Sequence, residues 1–183
     1  MTAALAQTDL ALSDPALTDP AGTPHTGIVE HPADKLARLV AHYDGLAFLQ
    51  AIKSGELPPA PIAELLGFEI RQLAPGAVTF ALNPDEKHYN PIGTVHGGVA
   101  ATLLDTVMGC ALHSLLPQGV GYTTLDISVR YLRPITVQTH TVWATGTVTH
   151  HGRRTATAEG RIVAADTGSL LATATSTLLV VRP

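Results

Sequence analysis

The sequence has little of what marks several common classes of protein. Its 183 residues include one cysteine, Cys110, so no disulfide can form within the chain. Only 14% of the residues are charged, and the formal net charge is −4. Because nucleic-acid-binding surfaces are usually basic, this balance argues against a nucleic-acid partner.

The N-terminal region lacks the basic and apolar segments of a secretory signal and contains acidic residues and prolines instead. We therefore expect a cytoplasmic protein. Residues 1–30 are rich in Ala, Thr, Asp and Pro and show no periodicity, which is typical of a disordered tail.

Charge is also missing from a long central stretch. Between Lys87 and Asp126 the only Asp, Glu, Lys or Arg is Asp105. Residues 97–116 have about the length of a membrane span, but a central aspartate disfavours insertion by ~3 kcal/mol. A buried core helix is the better interpretation, and we expect no membrane contact.

The remaining chain divides into two parts. Residues 31–59 form an accessory amphipathic helix and linker, because apolar residues recur at three- and four-residue steps before Gly55 and Pro58 end the pattern. The helix is either continuous or broken near Asp44. Residues 60–183 predict an α+β domain, in which an antiparallel sheet wraps around the long central helix.

The strands of this domain are predicted from alternating or Thr/Val/Ala-rich runs. Two strands precede the helix, with a turn at Pro75–Gly76, and four follow it as a meander, because short connections favour antiparallel pairing. Their predicted ranges are 65–73, 77–82, 125–131, 139–150, 154–163 and 170–181.

Two glycines, Gly97 and Gly98, stand where the predicted loop becomes the helix. Glycine lets a ligand approach the backbone closely, and the first N–H groups of a helix lack intrahelical partners at the positive end of its dipole. Such an end can hold a carbonyl oxygen and stabilise the oxyanion that forms from it. His96 and Asn90 are nearby candidates for positioning groups.

Asp105 lies two turns further along the otherwise apolar helix. A buried carboxylate is costly unless it is paired or functional, so it serves either as a general base or nucleophile, or as a structural hydrogen-bonding group. Gly97 and Asp105 would be ~12 Å apart along one helix, whereas reacting groups converge within ~3–3.5 Å. If the site is catalytic, two copies with antiparallel neighbouring helices would have to share it.

The pattern Asn90-Pro-x-Gly-x-x-His96-Gly97-Gly98-x6-Asp105, followed by a strand ending in Tyr131-Leu-Arg133-Pro, resembles the PaaI-like hotdog-fold thioesterases, which hydrolyse acyl-CoA thioesters. The resemblance covers residues 60–183. It implies a hotdog fold, a homo-oligomer (a dimer or a dimer of dimers, hence a homotetramer) with shared active sites, and no metal or cofactor beyond the CoA of the substrate.

The resemblance also implies a role for each matching residue. The Gly97 amide polarises the thioester carbonyl, His96 orients that site, and Asn90 positions water. Asp105 activates water or attacks directly. A hydroxyl beside this carboxylate maps to Thr124, with Thr123 as the alternative.

Substrate and CoA contacts are less specific in the sequence. Gly98 and Thr123 are candidates for substrate binding, and Arg133, Arg153 and Arg154 carry guanidinium groups suited to CoA phosphates. The alternative is that these arginines are ordinary exposed side chains.

Other combinations have simpler interpretations. Cys110 and His113 suggest a catalytic pair, but a buried core cysteine is far commoner. His140, His150 and His151 lack partners at metal-ligand spacing. Asp126 is expected to be exposed or to face the sheet.

Three functions follow from these residues. The first is hydrolysis of an acyl-CoA thioester. The second is hydration or dehydration of an acyl thioester, which the His-Gly-Gly-x6-Asp spacing disfavours. The third is a non-enzymatic acyl-CoA-binding module, which the presence of Asp105 disfavours. The residues around the helix leave open a medium acyl chain or an aryl-acetyl group.

Overall fold

The computed structural model describes residues 42–182, in which an antiparallel sheet curves around one long helix. The predicted tail and the first part of the accessory segment lie outside the described residues. The helices are α1 (Gly45–Ser54), α2 (Pro61–Leu66) and α3 (Gly97–His113). The strands are β1 (Phe68–Ala74), β2 (Ala77–Leu82), β3 (Gly121–Tyr131), β4 (Val142–His151), β5 (Thr155–Ala164) and β6 (Leu170–Val181).

Helix α1 occupies the described part of the accessory segment and begins and ends at residues suited to these positions. The Asp44 carboxylate accepts a hydrogen bond of 2.8 Å from the Ala47 amide, and Gly55 adopts the left-handed conformation (φ 81°) that ends the helix. The predicted stop at Gly55 is therefore confirmed.

Helix α2 is a correction to the predicted strand at residues 65–73, because the chain remains helical up to Leu66 and β1 begins at Phe68. The helix has six residues, beginning with Pro61, and it is followed by Gly67, whose φ is 70°. So short a segment contains fewer than two helical turns, so its sequence has no detectable period.

The sheet order β1-β2-β4-β5-β6-β3 corrects the predicted meander. Strand β3 pairs with β6 at the far edge of the sheet and does not pair with β4. The connection at residues 132–141 contains Pro134 and the short 3-10 helix Val137–Thr139, so it crosses the domain and forms no hairpin. The other predicted strands are present and antiparallel, but β3 already begins at Gly121, and β4 begins at Val142 because the 3-10 helix occupies the predicted start at Thr139. The pairing of β2 with β4 was not predicted.

Helix α3 forms the centre of the core. Its apolar side chains Leu103, Leu104, Val107, Met108, Ala111 and Leu112 are fully buried. They pack on small and branched side chains of the sheet that are also inaccessible to solvent, among them Val142, Ala144, Ile162 and Leu178. Burial of this one helix is the main apolar contribution to the domain.

Helix α1 rests against the C-terminal end of α3. The Gly45 amide donates to the Leu116 carbonyl at 3.0 Å. A Cβ on residue 45 would lie 1.7 Å from the His113 carbonyl oxygen, so only glycine allows this approach. The Phe48 ring packs edge-on against the His113 ring with 5.6 Å between centroids. The accessory segment is therefore joined to the helix that carries Asp105.

Candidate active site

The start of α3 presents one backbone donor. His96 caps the helix: its Nδ1 accepts from the Gly98 amide at 2.9 Å, and its carbonyl accepts from the Val99 amide. Within residues 42–182 no hydrogen bond occupies the Gly97 N–H. This amide is therefore available to a carbonyl oxygen at the positive end of the helix dipole.

The hydrogen bond between His96 and Gly98 also indicates which ring nitrogen of His96 carries the proton. Because Nδ1 is the acceptor, the proton of the neutral ring is carried by Nε2. The Gly98 carbonyl accepts from the Thr102 hydroxyl at 2.9 Å, so both backbone groups of Gly98 are used within the chain. A Cβ on residue 98 would lie 2.9 Å from His96 Nδ1, and the predicted substrate contact at Gly98 stays a prediction.

Tyr131 is a site residue that sequence reasoning did not assign. Its hydroxyl donates to the Gly97 carbonyl at 2.9 Å. A Cβ on residue 97 would lie 3.2 Å from the tyrosine ring. Since Tyr131 stands at the end of β3, this contact ties the helix start to the edge strand. The signal was present, because Tyr131 belongs to the quoted motif, but the 34-residue separation hides the contact.

Asn90 organises the loop before the helix. Its Oδ1 accepts from the Ile92 and Thr94 amides, and its Nδ2 donates to the Thr94 hydroxyl. The side chain therefore holds the turn at Gly93, where φ is 81°. This arrangement uses one of the two N–H donors of Nδ2, and the second could donate to water. The positioning of water by Asn90 stays a prediction.

Asp105 and Thr124 are brought together, as expected. The Thr124 hydroxyl donates to Asp105 Oδ1 at 2.8 Å, and both side chains are half-buried. Thr123 is exposed, and side chains alternate along a strand, so it lies on the other face of β3. The contact selects Thr124 over the alternative Thr123 as the hydroxyl beside the carboxylate.

Cys110 and His113, which follow Asp105 on α3, are not suited to nucleophilic chemistry. Burial, and secondarily the Asp105 charge, raises the pKa of the Cys110 thiol to about 12, so the thiolate is scarce at neutral pH. Burial also lowers the pKa of His113, against the opposing effect of Asp44. His113 packs against Phe48 and Tyr122. The structure thus favours a core role for Cys110 and His113.

Gly97 and Asp105 lie on the same helix, as the sequence predicted, so their separation is ~12 Å at 1.5 Å per residue. One chain does not bring the free amide and the carboxylate to a common reacting atom. Each half of the predicted site is present, and they face different points along the edge strand β3, where Tyr131 contacts Gly97 and Thr124 contacts Asp105.

The three candidate arginines do not meet within one chain. Arg133 donates from Nη1 to the Leu170 carbonyl, at the end of the sheet where β3 finishes. Arg153 and Arg154 are exposed in the turn between β4 and β5, and the Arg154 carbonyl accepts from Val180 at the opposite end. Their contact with CoA phosphates stays a prediction.

Metal-binding clusters and membrane-spanning helices are both absent from the part of the chain that the structure describes. No group of three or more His, Cys, Asp or Glu side chains suited to a metal ion occurs among residues 42–182. No helix in this range is long and apolar enough to cross a membrane. Asp126 is exposed on β3, within the predicted alternatives.

Comparison with known proteins gives these features a family. Residues 92–171, which include the helix start, Asp105 and Thr124, match the model of the thioesterase superfamily. The chain is similar to this superfamily over the residues that carry the candidate site. The Haemophilus influenzae thioesterase HI1161 is 25% identical and superimposes with a TM-score of 0.65 over 73% of this chain and 90% of its own. The fold is the hotdog fold, as predicted.

Two other similar proteins bear on chemistry. Human acyl-coenzyme A thioesterase 13 is 38% identical over 61 residues, 33% of this chain and 43% of its own. The Streptococcus mutans protein smu.793, with acetyl-CoA bound in its crystal structure, is 27% identical and has a TM-score of 0.57 over 63% of this chain and 91% of its own. The chain spans about half the length of the curated relatives that it matches.

Proposed function

We propose that this protein hydrolyses acyl-CoA thioesters to a free acid and CoA. The observation that carries the proposal is the presence of two groups on one helix. The Gly97 N–H at the helix start makes no hydrogen bond within the described residues, and the half-buried Asp105 carboxylate accepts a hydrogen bond from Thr124. The match to the thioesterase superfamily supports thioester hydrolysis, and the acetyl-CoA bound to smu.793 supports a CoA ester.

The first part of the site would act on the thioester carbonyl. The oxygen would accept a hydrogen bond from Gly97 N–H and become negatively charged as the carbon is attacked. A backbone donor fixed in place at the positive end of a helix stabilises this charge without having to reorganise. His96 keeps the neighbouring Gly98 amide engaged, so the helix start has a defined geometry.

The second part would supply the attacking group. Asp105 either takes a proton from water as the water oxygen bonds to the carbonyl carbon, or attacks that carbon itself to give an anhydride that water then cleaves. In both routes the C–S bond breaks and CoA leaves as the thiol after protonation. Both routes use an oxygen of Asp105 as the reacting atom, and the Thr124 hydroxyl holds the carboxylate in place by donating to Oδ1.

A second copy of the chain would bring these two parts together. Strand β3 has β6 on one side only, and its exposed side chains include Leu125, Ile127 and Tyr131. Antiparallel pairing of two β3 strands about a twofold axis near residues 127–128 would place Tyr131 of one copy opposite Thr124 of the other. Gly97 of one protomer would then approach Asp105 of its partner.

The same twofold axis would bring the basic residues to common ends of the extended sheet. Arg133 of one protomer would lie at the end where Arg153 and Arg154 of the other stand, since each β3 runs in the reverse direction. Guanidinium groups gathered in this way suit the phosphates of CoA. A homotetramer built from two such dimers, a cytoplasmic location and the lack of a cofactor remain predictions.

Two variants test the two halves of the site separately. Asp105→Asn keeps the shape and removes the charge, and should reduce kcat at least about a hundredfold. Gly97→Pro removes the N–H at the first helical position, where proline is well tolerated, and should cost a comparable factor. Gly97→Ala is the matched control, because it adds the same Cβ near Tyr131 and keeps the N–H.

The assay is release of free thiol from short, medium and long aliphatic acyl-CoAs, phenylacetyl-CoA and hydroxybenzoyl-CoA. Turnover by wild type and Gly97→Ala, with both other variants inactive, is expected. Near-normal turnover by Asp105→Asn would refute the role of Asp105. Tight binding of acyl-CoA without thiol release by wild type would replace hydrolysis with the non-enzymatic binder, and water addition to an enoyl-CoA would indicate a hydratase.

A further inference from the structure

A groove of about 980 Å³ runs between the accessory helices and the open side of α3. Asp105 and Thr106 line it on α3, and Phe48, Ile52 and Ile62 line it on α1 and α2. The carboxylate of the proposed active site and the accessory segment therefore border the same cavity. The family match begins at residue 92, so it does not include the accessory wall.

The groove is apolar where it is deep. Phe48, Leu49, Ala63, Phe68 and Phe80 are buried core residues that also line it. Its charged lining residues other than Asp105 are Lys53, Glu64 and Glu69, all of which are exposed and so belong to the rim.

Apart from Asp105, the titratable groups inside the groove are Cys110, His113 and Tyr122, and all three are uncharged at neutral pH. Burial raises the pKa of both the Cys110 thiol and the Tyr122 hydroxyl, and burial lowers the pKa of His113. An apolar cavity lined by a reacting carboxylate is suited to a hydrocarbon chain attached to the reacting carbon.

We propose that this groove binds the acyl chain of the substrate, and that helices α1 and α2 make the enzyme specific for aliphatic chains of medium length. The inference rests on the proposed function, because it takes Asp105 as the reacting end of the groove. It assigns to the accessory segment the part of substrate recognition that distinguishes one acyl group from another.

The dimensions of the groove set the expected chain length. Asp105 and His113 both line it, and they are ~12 Å apart along α3. With C–C bonds of about 1.5 Å in a zigzag, an extended chain of roughly eight to ten carbons covers this distance. A phenylacetyl group is shorter and would leave the part next to Phe48 and Ile52 unfilled.

Two exposed apolar residues of α2 provide a matched pair for the test. Ile62 lines the groove and is 44% exposed, whereas Leu65 is 69% exposed and does not line it. Ile62→Asp places a charge on the groove wall. Leu65→Asp makes the same chemical change on the same short helix and controls for effects on folding.

The first measurement is kcat/KM for straight-chain acyl-CoAs from acetyl to hexadecanoyl. We expect about a fourfold rise for each methylene that becomes buried, up to roughly eight to ten carbons. Ile62→Asp should lower kcat/KM for decanoyl-CoA about tenfold or more and leave acetyl-CoA unchanged. Leu65→Asp should match wild type with both substrates.

A binding measurement separates this proposal from the proposed function. Calorimetry with S-decyl-CoA and S-ethyl-CoA, which are thioethers and cannot be hydrolysed, should show tighter binding of the decyl compound, and Ile62→Asp should reduce this difference in affinity about tenfold or more. If this binding pattern is observed while no acyl-CoA is hydrolysed, the groove proposal is supported and the hydrolase proposal fails. If hydrolysis occurs with no dependence on chain length, or if Ile62→Asp and Leu65→Asp behave alike, the groove proposal is overturned.

Discussion

Asp105 is the one carboxylate of helix α3, and its half-buried side chain lies against strand β3. Its place on an uncharged helix marked it as costly to bury, and the structure supplies its neighbour, the Thr124 hydroxyl, at 2.8 Å. The hydroxyl was predictable from the resemblance to a known family, whereas the choice between Thr123 and Thr124 was not. That choice depends on which face of β3 points inward, and a one-residue shift reverses it.

Thr124 offers a test at this scale. Thr124→Val keeps the branched shape and removes the donor to Asp105, so kcat should fall by roughly tenfold, the value of a hydrogen bond to a charged group. Thr124→Ser keeps the hydroxyl and should retain most of the activity. Steady-state kinetics with one acyl-CoA measures both variants.

The contrast between the two variants carries the information. Equal loss in Thr124→Val and Thr124→Ser would mean that packing, and not the hydroxyl, matters at this position. Full activity of Thr124→Val would show that Asp105 does not depend on its neighbour.

Other contacts between single residues could not be predicted from the sequence. Tyr131 reaches the Gly97 carbonyl across 34 positions, and Gly98 uses both backbone groups internally. Such contacts depend on how β3 lies against the start of α3. Spacing along the chain does not encode that placement.

At the scale of elements, periodicity predicted the long helix and most strands, because each is a local pattern with a clear turn signal. It failed for α2, which is too short to show a period, and for the partner of β3. Pairing between distant strands is decided by the whole sheet, so four consecutive strands were wrongly expected to form a meander.

Small residues determine how α3 lies on the sheet. Gly146 of β4 and Gly160 of β5 are directly paired. A Cβ on residue 146 would lie 2.3 Å from the Val107 carbonyl oxygen, which is helix backbone. A Cβ on residue 160 would meet only side-chain atoms of Leu104 and Met108, at 3.0 Å and beyond. The two opposed glycines therefore form the surface on which the helix rests.

This pair predicts unequal effects of the same substitution. Gly146→Ala should lower the free energy of unfolding by about 1–3 kcal/mol, because backbone has to move to relieve the overlap. Gly160→Ala should cost less, because flexible side chains can adjust. Denaturant unfolding of both variants measures the difference. A larger loss in Gly160→Ala would contradict the described packing of α3.

At the scale of the whole molecule, one protomer contains both halves of the site and does not bring them together. The sequence predicted this from the distance along one helix. The structure adds the free edge of β3 and the positions of Tyr131 and Thr124 along it. The proposed dimer adds one feature that neither the sequence nor one protomer contains, which is the register between its two β3 strands.

Subunit complementation is the measurement that tests the shared site most directly. Asp105→Asn and Gly97→Pro homodimers are each expected to be inactive. When the two proteins are mixed, unfolded and refolded together, about half of the dimers should be mixed, and each mixed dimer should have one site with both residues intact. Recovery of about a quarter of wild-type thiol release is predicted for equal amounts. No recovery, although mass spectrometry shows mixed dimers, would contradict a site built from Gly97 of one protomer and Asp105 of the other.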